Sequence, residues 1–305
     1  MVVRTFKLRI VWIIVIILVL LCGIVTYNIV TNKRNNNSSA NNKQENSNKV
    51  AEIDIKKDEP KNNKLREFKG ENLIHNDKQI PVLMYHSIAD NSKVTDNVSK
   101  SIILPPEVFK QQMQYLKDNG YTTLTLDELY NFLKNDKPVP EKSVVLTFDD
   151  AYEDNYTNAY PILKEFGFRA TIFVITGGTD KIGAYLTSAQ LKEMDANGID
   201  IQSHTVNHEE LDKLSLEKQQ ETLVQSKQFL EKLLDKKVDY IAYPSGKYNN
   251  FTEQAAKNAG YTMAFTINNG WANKDTNILF LNRVFVNALK GFDQFKERLT
   301  NPNYQ

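Results

Sequence analysis

The chain has 305 residues, of which 41% are hydrophobic and 25% are charged, and its 38 basic and 37 acidic residues give a formal net charge of +1. This balance is ordinary for a globular protein, and it excludes strong electrostatic attraction to nucleic acid. The single cysteine excludes an intramolecular disulfide, so we expect the fold to be stabilised by the size of its core.

The chain begins with a candidate membrane anchor. Residues 10–30 carry no charge and form a run long enough to cross the hydrocarbon core of a bilayer. Basic residues precede the run, which predicts a cytoplasmic tail at 1–9 and an extracytoplasmic remainder; two basic residues after the run weaken this preference. The alternative of a cleaved signal peptide is not favoured, because the sequence has no obvious cleavage site. The alternative of a lipoprotein is not favoured either, because Leu21 before Cys22 is too large for lipoprotein processing. The sequence therefore favours a retained, single-pass transmembrane helix in the cell membrane.

A polar segment at residues 31–70 follows the candidate anchor. It opens with "NKRNNNSSANNKQENSN", in which asparagine, serine and lysine dominate and large apolar side chains are missing. Such a composition buries too little surface to offset the entropy of ordering, so this segment is predicted to be a disordered linker. Residues 71–305 remain for the folded part, a length compatible with one α/β domain.

Short apolar runs alternate with helical patterns throughout the predicted domain. The predicted strands are residues 80–86, 143–148, 170–176, 199–204, 240–245 and 261–267. The predicted helices are residues 105–119, 156–166, 188–197, 215–236 and 252–259. This alternation predicts a parallel sheet with helices on its outside. A closed or partly open (β/α) barrel is the leading architecture, and an open doubly wound sheet, for which no Gly-x-Gly-x-x-Gly turn is found, is the alternative.

Two adjacent carboxylates, Asp149 and Asp150, follow the apolar run "SVVLTF". Chemistry in a (β/α) barrel takes place at the carboxyl ends of the strands, where these residues are predicted to lie. An N-cap beside a solvated acid is the structural alternative. Glu153 and Asp154, one turn later, are read as acids that favour a helix N-terminus.

A histidine pair, His204 and His208, follows the next but one predicted strand in "SHTVNH". Spacing of four residues brings two imidazoles to one face of a helical turn, as metal-binding pairs require. Two histidines and one carboxylate leave open positions for water and substrate, which is typical of a catalytic metal site. Zinc is the default cation for these ligands, and cobalt, nickel and iron are compatible. One aspartate would then bind the metal, and the other would act as a base.

"TFDD" and "HTVNH" together resemble the first two motifs of the polysaccharide deacetylases of carbohydrate esterase family 4, the NodB-homology domain. The resemblance covers about Ile80 to Leu299. It implies a distorted (β/α) barrel and hydrolytic removal of an acetyl group from an N-acetylated sugar. It also implies that Asp149 is the general base and that Asp150, His204 and His208 bind the metal.

The third motif of the family departs from its usual form, Arg-x-Pro-Tyr-Gly. The corresponding stretch is "AYPSG", in which Pro244 and Gly246 are retained, Ala242 replaces the arginine and Ser245 replaces the tyrosine. In the family the arginine orients the base, so this departure leaves the tuning of Asp149 unexplained. The oxyanion contact comes from a backbone N–H at the position of Ser245, which any residue except proline can supply.

The family's catalytic histidine near the C-terminus is missing, because no histidine follows His208. Instead, Met84-Tyr85-His86 ends the first predicted strand. A circularly permuted order of this kind resembles the deacetylases of biofilm poly-N-acetylglucosamine, and it would make His86 the general acid, with Met84 beside the substrate. The alternative for His86 is a core or capping role.

Three aromatic residues are further candidates for sugar contacts. Trp271 is predicted to line the acetyl pocket or stack on a sugar, with a packed core position as the alternative. Tyr243 and Tyr248 flank the third motif and are candidate sugar contacts.

The sequence thus predicts a membrane-tethered, metal-dependent enzyme that deacetylates N-acetylglucosamine residues of a polysaccharide. Poly-N-acetylglucosamine exopolysaccharide is the favoured polymer, and peptidoglycan is the alternative. A catalytically inactive carbohydrate-binding module and a hydrolase of a non-sugar amide are alternatives of other classes.

Overall fold

The computed structural model describes residues 65–181 and 183–304. The predicted anchor at 10–30 and most of the predicted linker lie outside the described residues. Within the described ranges, no helix has both the length and the apolar character needed to cross a bilayer.

Parallel strands alternate with helices along the described chain. The strands are β1 (Leu73–Ile74), β2 (Val82–Tyr85), β3 (Thr122–Thr123), β4 (Val139–Pro140), β5 (Ser143–Phe148), β6 (Ala170–Val174), β7 (Ile199–Ser203), β8 (Tyr240–Ala242), β9 (Met263–Asn269) and β10 (Leu281–Phe285). The helices are α1 (Asn97–Ile102), α2 (Pro106–Asp118), α3 (Leu126–Asn135), α4 (Tyr160–Phe166), α5 (Ser188–Ala196), α6 (Leu216–Leu234), α7 (Thr252–Ala259) and α8 (Phe292–Thr300).

Seven of these strands close into a barrel. Their order is β2-β10-β9-β8-β7-β6-β5, and β5 pairs again with β2. Every neighbouring pair in this ring is parallel. Strand β3 extends the ladder at the start of β5, and β1 and β4 form a separate antiparallel pair. The β2–β5 pairing excludes an open sheet and confirms the expected (β/α) barrel.

Four barrel strands, β2, β5, β6 and β8, are buried along their whole length, which explains why their sequences are mostly apolar. All six residues of β5 are buried. Because side chains alternate along a strand, Val82 and Val145 join one apolar cluster while their neighbours Leu83 and Leu146 join another. The second cluster contains the apolar faces of most surrounding helices, so it fills the space between helices and barrel wall.

Several predicted elements differ from those in the structure. The strand at 143–148 and the helix at 252–259 are confirmed to the residue. Strands β1, β3, β4 and β10 and helices α1, α3 and α8 were not predicted. The helix predicted at 156–166 is instead a π-helical turn, Asn155–Ala159, that continues into α4.

Within the described residues, Arg66 contacts the barrel domain from inside the segment predicted to be linker. Its Nε and Nη2 donate to Glu128 Oε1 and Oε2 at 2.7 and 2.6 Å. Its Nη2 also donates to the Thr123 carbonyl at 2.7 Å. Arg66 therefore belongs structurally to the barrel domain.

Candidate active site

Asp149 occupies the end of β5 in an ion pair with Arg283 of β10. The guanidinium donates two parallel hydrogen bonds, from Nη1 to Asp149 Oδ1 and from Nη2 to Asp149 Oδ2, both 2.7 Å long. Arg283 is fully buried, and Asp149 is 2% exposed. Arg283 is itself fixed by bonds to the Thr266 carbonyl and the Thr147 hydroxyl. Its guanidinium lies 5.7 Å from the centre of the Phe173 ring, on the inner side of the barrel.

This pairing keeps Asp149 ionised. Burial alone would raise the pKa of its carboxyl group, because the charged form loses water. The charge of Arg283, the charge that nearby His204 acquires at low pH, and the Arg283 hydrogen bonds outweigh burial and hold the pKa of Asp149 well below its usual range. A carboxylate with so low a pKa is a weak base, and its proton acceptor function depends on position and on an acidified proton donor.

Arg283 is the residue that sequence reasoning missed. The third motif lacks its arginine at Ala242, and Arg283 supplies the guanidinium from a different strand. The sequence signal for this residue was a single arginine inside the mostly apolar stretch "LNRVF", which shows no helical periodicity. Because β10 was not predicted as a strand, that signal had no structural context.

Asp150 turns away from Asp149 and faces His204 and His208. Asp150 Oδ1 lies 3.5 Å from His204 Nε2 and 3.6 Å from His208 Nε2. One ligand atom from each residue falls within 4.8 Å of the others. Asp150 Oδ1 is buried and has no hydrogen-bond partner among the described residues. A buried acceptor beside two imidazole nitrogens fits a divalent cation, so this cluster is a possible metal site.

The orientation of His204 also suits a metal ligand. Its Nδ1 lies 2.7 Å from the Ala242 carbonyl, which leaves Nε2 directed at Asp150. A hydrogen bond to the ring nitrogen that does not face the metal fixes the tautomer of a metal-binding histidine. Burial lowers the pKa of His204, and the charges of Asp149 and Asp150 offset this only in part. The ring is therefore neutral near pH 7, as coordination requires.

The backbone around these residues is unusual. His204 and His208 are joined by an irregular turn, so the expected helical turn is wrong, although the two ring centroids still lie 5.0 Å apart. Left-handed φ values occur in the three motif segments, at Asp150 (73°), Ala151 (62°), Thr205 (65°), His208 (58°) and Ser245 (52°). Such conformations are costly for residues other than glycine and tend to cluster at functional sites. The sequence spacing brings the ligands together through strained loops instead of a helix.

His86 follows β2, the strand beside β5 in the barrel. The Asp149 N–H donates to the Tyr85 carbonyl at 2.9 Å, so His86 and Asp149 end neighbouring strands. The charge of His86 contributes to the low pKa of Asp149. The ring centroids of His86 and Phe285 lie 6.3 Å apart, with the two rings nearly perpendicular. His86 Nδ1 is buried without a hydrogen-bond partner in the described ranges.

The third motif approaches the site through its backbone. Ser245 lies in a left-handed turn between the buried Pro244 and Gly246. Among the described residues, no carbonyl accepts the Ser245 N–H, whereas Gly246 N–H is bonded to the Tyr243 carbonyl. A Cβ on Gly246 would lie 2.6 Å from Ile267, so the close approach of β9 requires glycine here.

The remaining candidates are placed as follows. Met84 is 4% exposed and Tyr243 is fully buried. Tyr248 is 42% exposed and its ring centroid lies 4.6 Å from that of Phe280. Trp271 packs against the core, and its Nε1 donates to the Arg298 carbonyl on α8 at 2.8 Å.

A closed parallel barrel with an ion-paired aspartate and an Asp–His–His cluster at its strand ends is the architecture of a (β/α)-barrel hydrolase. Residues 136–264 match the family described as polysaccharide deacetylase. The Bacillus subtilis protein YxkH, which is named as a member of that family, is 41% identical over 208 residues, 68% of this chain and 71% of YxkH. The chain belongs to the polysaccharide deacetylase family.

Two further relatives extend this comparison. The poly-β-1,6-N-acetyl-D-glucosamine N-deacetylase of Staphylococcus aureus is 30% identical over 209 residues, 62% of this chain and 72% of that protein. The structure of the Streptococcus pyogenes deacetylase PplD in complex with acetate is similar with a TM-score of 0.68 and 39% identity. That similarity covers 73% of this chain and 98% of PplD.

Proposed function

We propose that this polysaccharide deacetylase removes acetyl groups from N-acetylglucosamine residues by metal-assisted hydrolysis. The observation that carries the proposal is that the side chains of the two adjacent aspartates have different partners. Asp149 is bonded on both oxygens by Arg283, whereas Asp150 presents a buried, unbonded oxygen to two imidazoles. One carboxylate is thus available as a base and the other as a ligand.

Asp150, His204 and His208 would hold the cation, with zinc favoured by the donor set and cobalt, nickel or iron compatible with it. When bound, a divalent cation supplies Lewis-acid polarisation of the acetyl carbonyl and lowers the pKa of water. Asp149 is not expected to bind the metal, because both of its oxygens already accept hydrogen bonds from Arg283. It therefore remains the proposed base.

The other residues would then divide the proton transfers. Asp149 accepts a proton from the attacking water, whose oxygen adds to the acetyl carbon. The Ser245 N–H is free to donate to the oxyanion that develops on the carbonyl. His86 protonates the amine as the carbon–nitrogen bond breaks, and the products are acetate and a glucosamine residue.

We propose poly-N-acetylglucosamine as the polymer. The position of His86 at the first barrel strand supports this choice, since it matches the permuted order to which the sequence is similar. The Staphylococcus aureus relative, whose name states that it deacetylates poly-β-1,6-N-acetyl-D-glucosamine, supports it as well.

We further propose that the enzyme acts outside the cytoplasm, tethered to the cell membrane by residues 10–30. The support is the uncharged length of this run and the basic residues that precede it.

The test measures acetate release and bound metal for the full-length protein on poly-N-acetylglucosamine and on peptidoglycan. His204→Ala and His208→Ala should lower metal content and rate together, since each removes one of three protein ligands. Asp149→Asn should keep the metal and lose about 10²–10⁴-fold in rate, the usual contribution of a general base. Asp150→Asn should weaken metal binding.

His75→Ala is the matched control, because His75 is an exposed histidine paired with Asp136 outside this cluster. It should change neither quantity. Full metal content in both His204→Ala and His208→Ala would contradict the ligand assignment. Acetate release from peptidoglycan alone would contradict the choice of polymer.

A further inference from the structure

The chain leaves the site through a π-helical turn, Asn155–Ala159, which follows Asp154. Such turns are rare, and many lie at functional sites because the extra residue redirects the side chains before it. Here three polar side chains, those of Asp154, Asn155 and Asn158, point at the segment 86–88. We call these three residues the π-turn clamp.

The clamp holds both ends of that segment by hydrogen bonds to main-chain and side-chain atoms. The four bonds are Ser87 Oγ to Asp154 Oδ2 (2.6 Å), Ile88 N to Asp154 Oδ1 (2.8 Å), Asn155 Nδ2 to His86 O (2.8 Å) and Asn158 Nδ2 to Ile88 O (2.8 Å). Asn155 is fully buried, and its Nδ2 also donates to Asp154 Oδ1 at 3.0 Å. The clamp members therefore support one another as well as the segment.

Asp154 differs here from its expected role as an acid at a helix N-terminus. Its carboxylate caps no helix N–H. Both of its oxygens accept hydrogen bonds from the segment that follows β2. The side chain connects two barrel loops instead of stabilising its own helix.

His86 needs such support because its ring lacks the usual anchor. A catalytic imidazole is commonly oriented through its second nitrogen by a carboxylate or carbonyl. In the described part of the chain, His86 Nδ1 is buried and has no such partner. The ring direction therefore depends on the Phe285 contact and on the backbone that the clamp fixes.

We propose that the π-turn clamp is a positioning device for His86 in the deacetylation reaction. This inference rests on the proposed function, in which His86 protonates the leaving amine. The side-chain hydrogen bonds of the three residues run to residues 86–88 and to one another, so the clamp acts by fixing the main chain from which His86 reaches the reacting atoms. Displacement of a catalytic group by about 1 Å can cost on the order of 100-fold in rate.

The experiment is a double-mutant cycle on kcat in the full-length protein, with poly-N-acetylglucosamine as substrate and metal content measured in parallel. Asn155→Ala and Asn158→Ala should each lower kcat about 10- to 100-fold and retain the metal. In the His86→Ala background, the same substitutions should lower kcat by less than about two-fold, because the group they position is missing. Thr157→Ala, on the exposed side of the same turn, should leave kcat unchanged.

Losses that multiply in the His86→Ala background would overturn the proposal, since the clamp would then act independently of His86. A His86→Ala variant with wild-type kcat would overturn it too. If Asn155→Ala does not fold, the half-buried Asn158 decides the question through its own cycle. Wild-type protein that releases no acetate from any polymer contradicts the proposed function itself, a result seen before any variant is compared.

Discussion

Arg283 and Asp149 form an ion pair that neither residue can share with bulk water, because one is fully buried and the other nearly so. Desolvation makes such a pair a poor source of net stability, yet removing one partner leaves an uncompensated charge. The two parallel bonds also fix the plane of the carboxylate. The arginine therefore determines both the charge and the direction of the proposed base.

We expect Arg283→Met to lower the free energy of unfolding by about 3–5 kcal/mol, since it leaves the buried charge of Asp149 without a partner. The double variant Arg283→Met/Asp149→Asn should recover part of this loss, because the amide carries no charge. Urea denaturation of each variant measures both effects.

Arg66→Met is the matched control for this substitution. Arg66 also bonds both oxygens of a buried carboxylate, but its side chain is 32% exposed, so water can reach the site after its removal. It should cost less than Arg283→Met. Equal losses for the two variants would show that burial of the pair does not determine the energy.

The residues of the candidate site were predictable to different degrees. Asp149, Asp150 and His204 directly follow barrel strands, His208 lies four residues beyond His204, and parallel strand ends meet at one edge of a barrel. Their proximity thus follows from the sequence. Arg283 lies in the middle of its strand and is drawn inward only because the barrel closes around it, a tertiary effect that local pattern does not contain.

At the scale of single elements, the start of α3 shows how a helix is tied to a distant segment. Thr125 and Glu128 form a capping box, in which each side chain bonds the backbone of the other. Glu128 also accepts hydrogen bonds from Arg66. Burial raises the pKa of Glu128, but the bonds from Arg66 and the Thr125 N–H outweigh burial, and the net pKa is lowered.

The lowered pKa predicts a dependence of stability on pH. The unfolded chain binds a proton at Glu128 near its ordinary pKa of 4.5, whereas the folded chain binds it only at lower pH. The contribution of the ionised group is therefore complete above that value and is lost as pH falls through the folded pKa. We expect Glu128→Gln to be destabilising at pH 7 and progressively less so below pH 4.5, measured by urea denaturation at each pH.

Glu67→Gln is the control, because Glu67 is exposed on the same segment and its ion pair with Lys69 is open to water. Exposed ion pairs contribute little to stability, so the free energy of unfolding of this variant should match that of the wild type at pH 7 and at pH 3.5. A constant difference between Glu128→Gln and wild type from pH 7 to pH 3.5 would contradict the prediction.

Elements with a strong and uninterrupted pattern could be predicted, and elements that depend on partners could not. Strand β5 is buried throughout and mostly apolar, and α7 ends at Ala259 as predicted, with Gly260 following in a left-handed conformation. The π-helical turn before α4 was predicted as ordinary helix, because a single turn is too short for sequence periodicity to distinguish π-helical from α-helical hydrogen bonding. The role of the polar side chains at this turn could not be predicted, because their hydrogen-bond partners, residues 86–88, are distant in sequence.

At the scale of the whole molecule, the anchor and linker predictions can be tested by shortening the chain. A chain that begins at Asn32 should be released from the membrane and should deacetylate at the rate of the full-length protein, since the removed residues are essentially the predicted tail and the proposed anchor. Membrane fractionation and acetate release measure the two properties. An inactive but folded chain would contradict a purely tethering role for residues 1–31.

A chain that begins at Glu71, the predicted domain boundary, should be less stable than one that begins at Asn32. It lacks Arg66, so Glu128 keeps its buried charge without its main partner. Adding Glu128→Gln to this shorter chain should reduce the difference, and the urea midpoints compare all three chains.

The pairing of β2 with both β5 and β10 has a consequence for the order of folding. The β2–β10 ladder joins Leu83 to Val284, residues separated by most of the domain, so the ring cannot close until nearly the entire chain has been synthesised. Contacts so distant in sequence form late and slow the folding of a domain. Because β10 carries Arg283, Asp149 has no ion-pair partner until β10 joins, and until then the sheet is open between β2 and β9. Catalytic competence and barrel closure thus arise in the same step, and a partly folded chain cannot deacetylate its polymer.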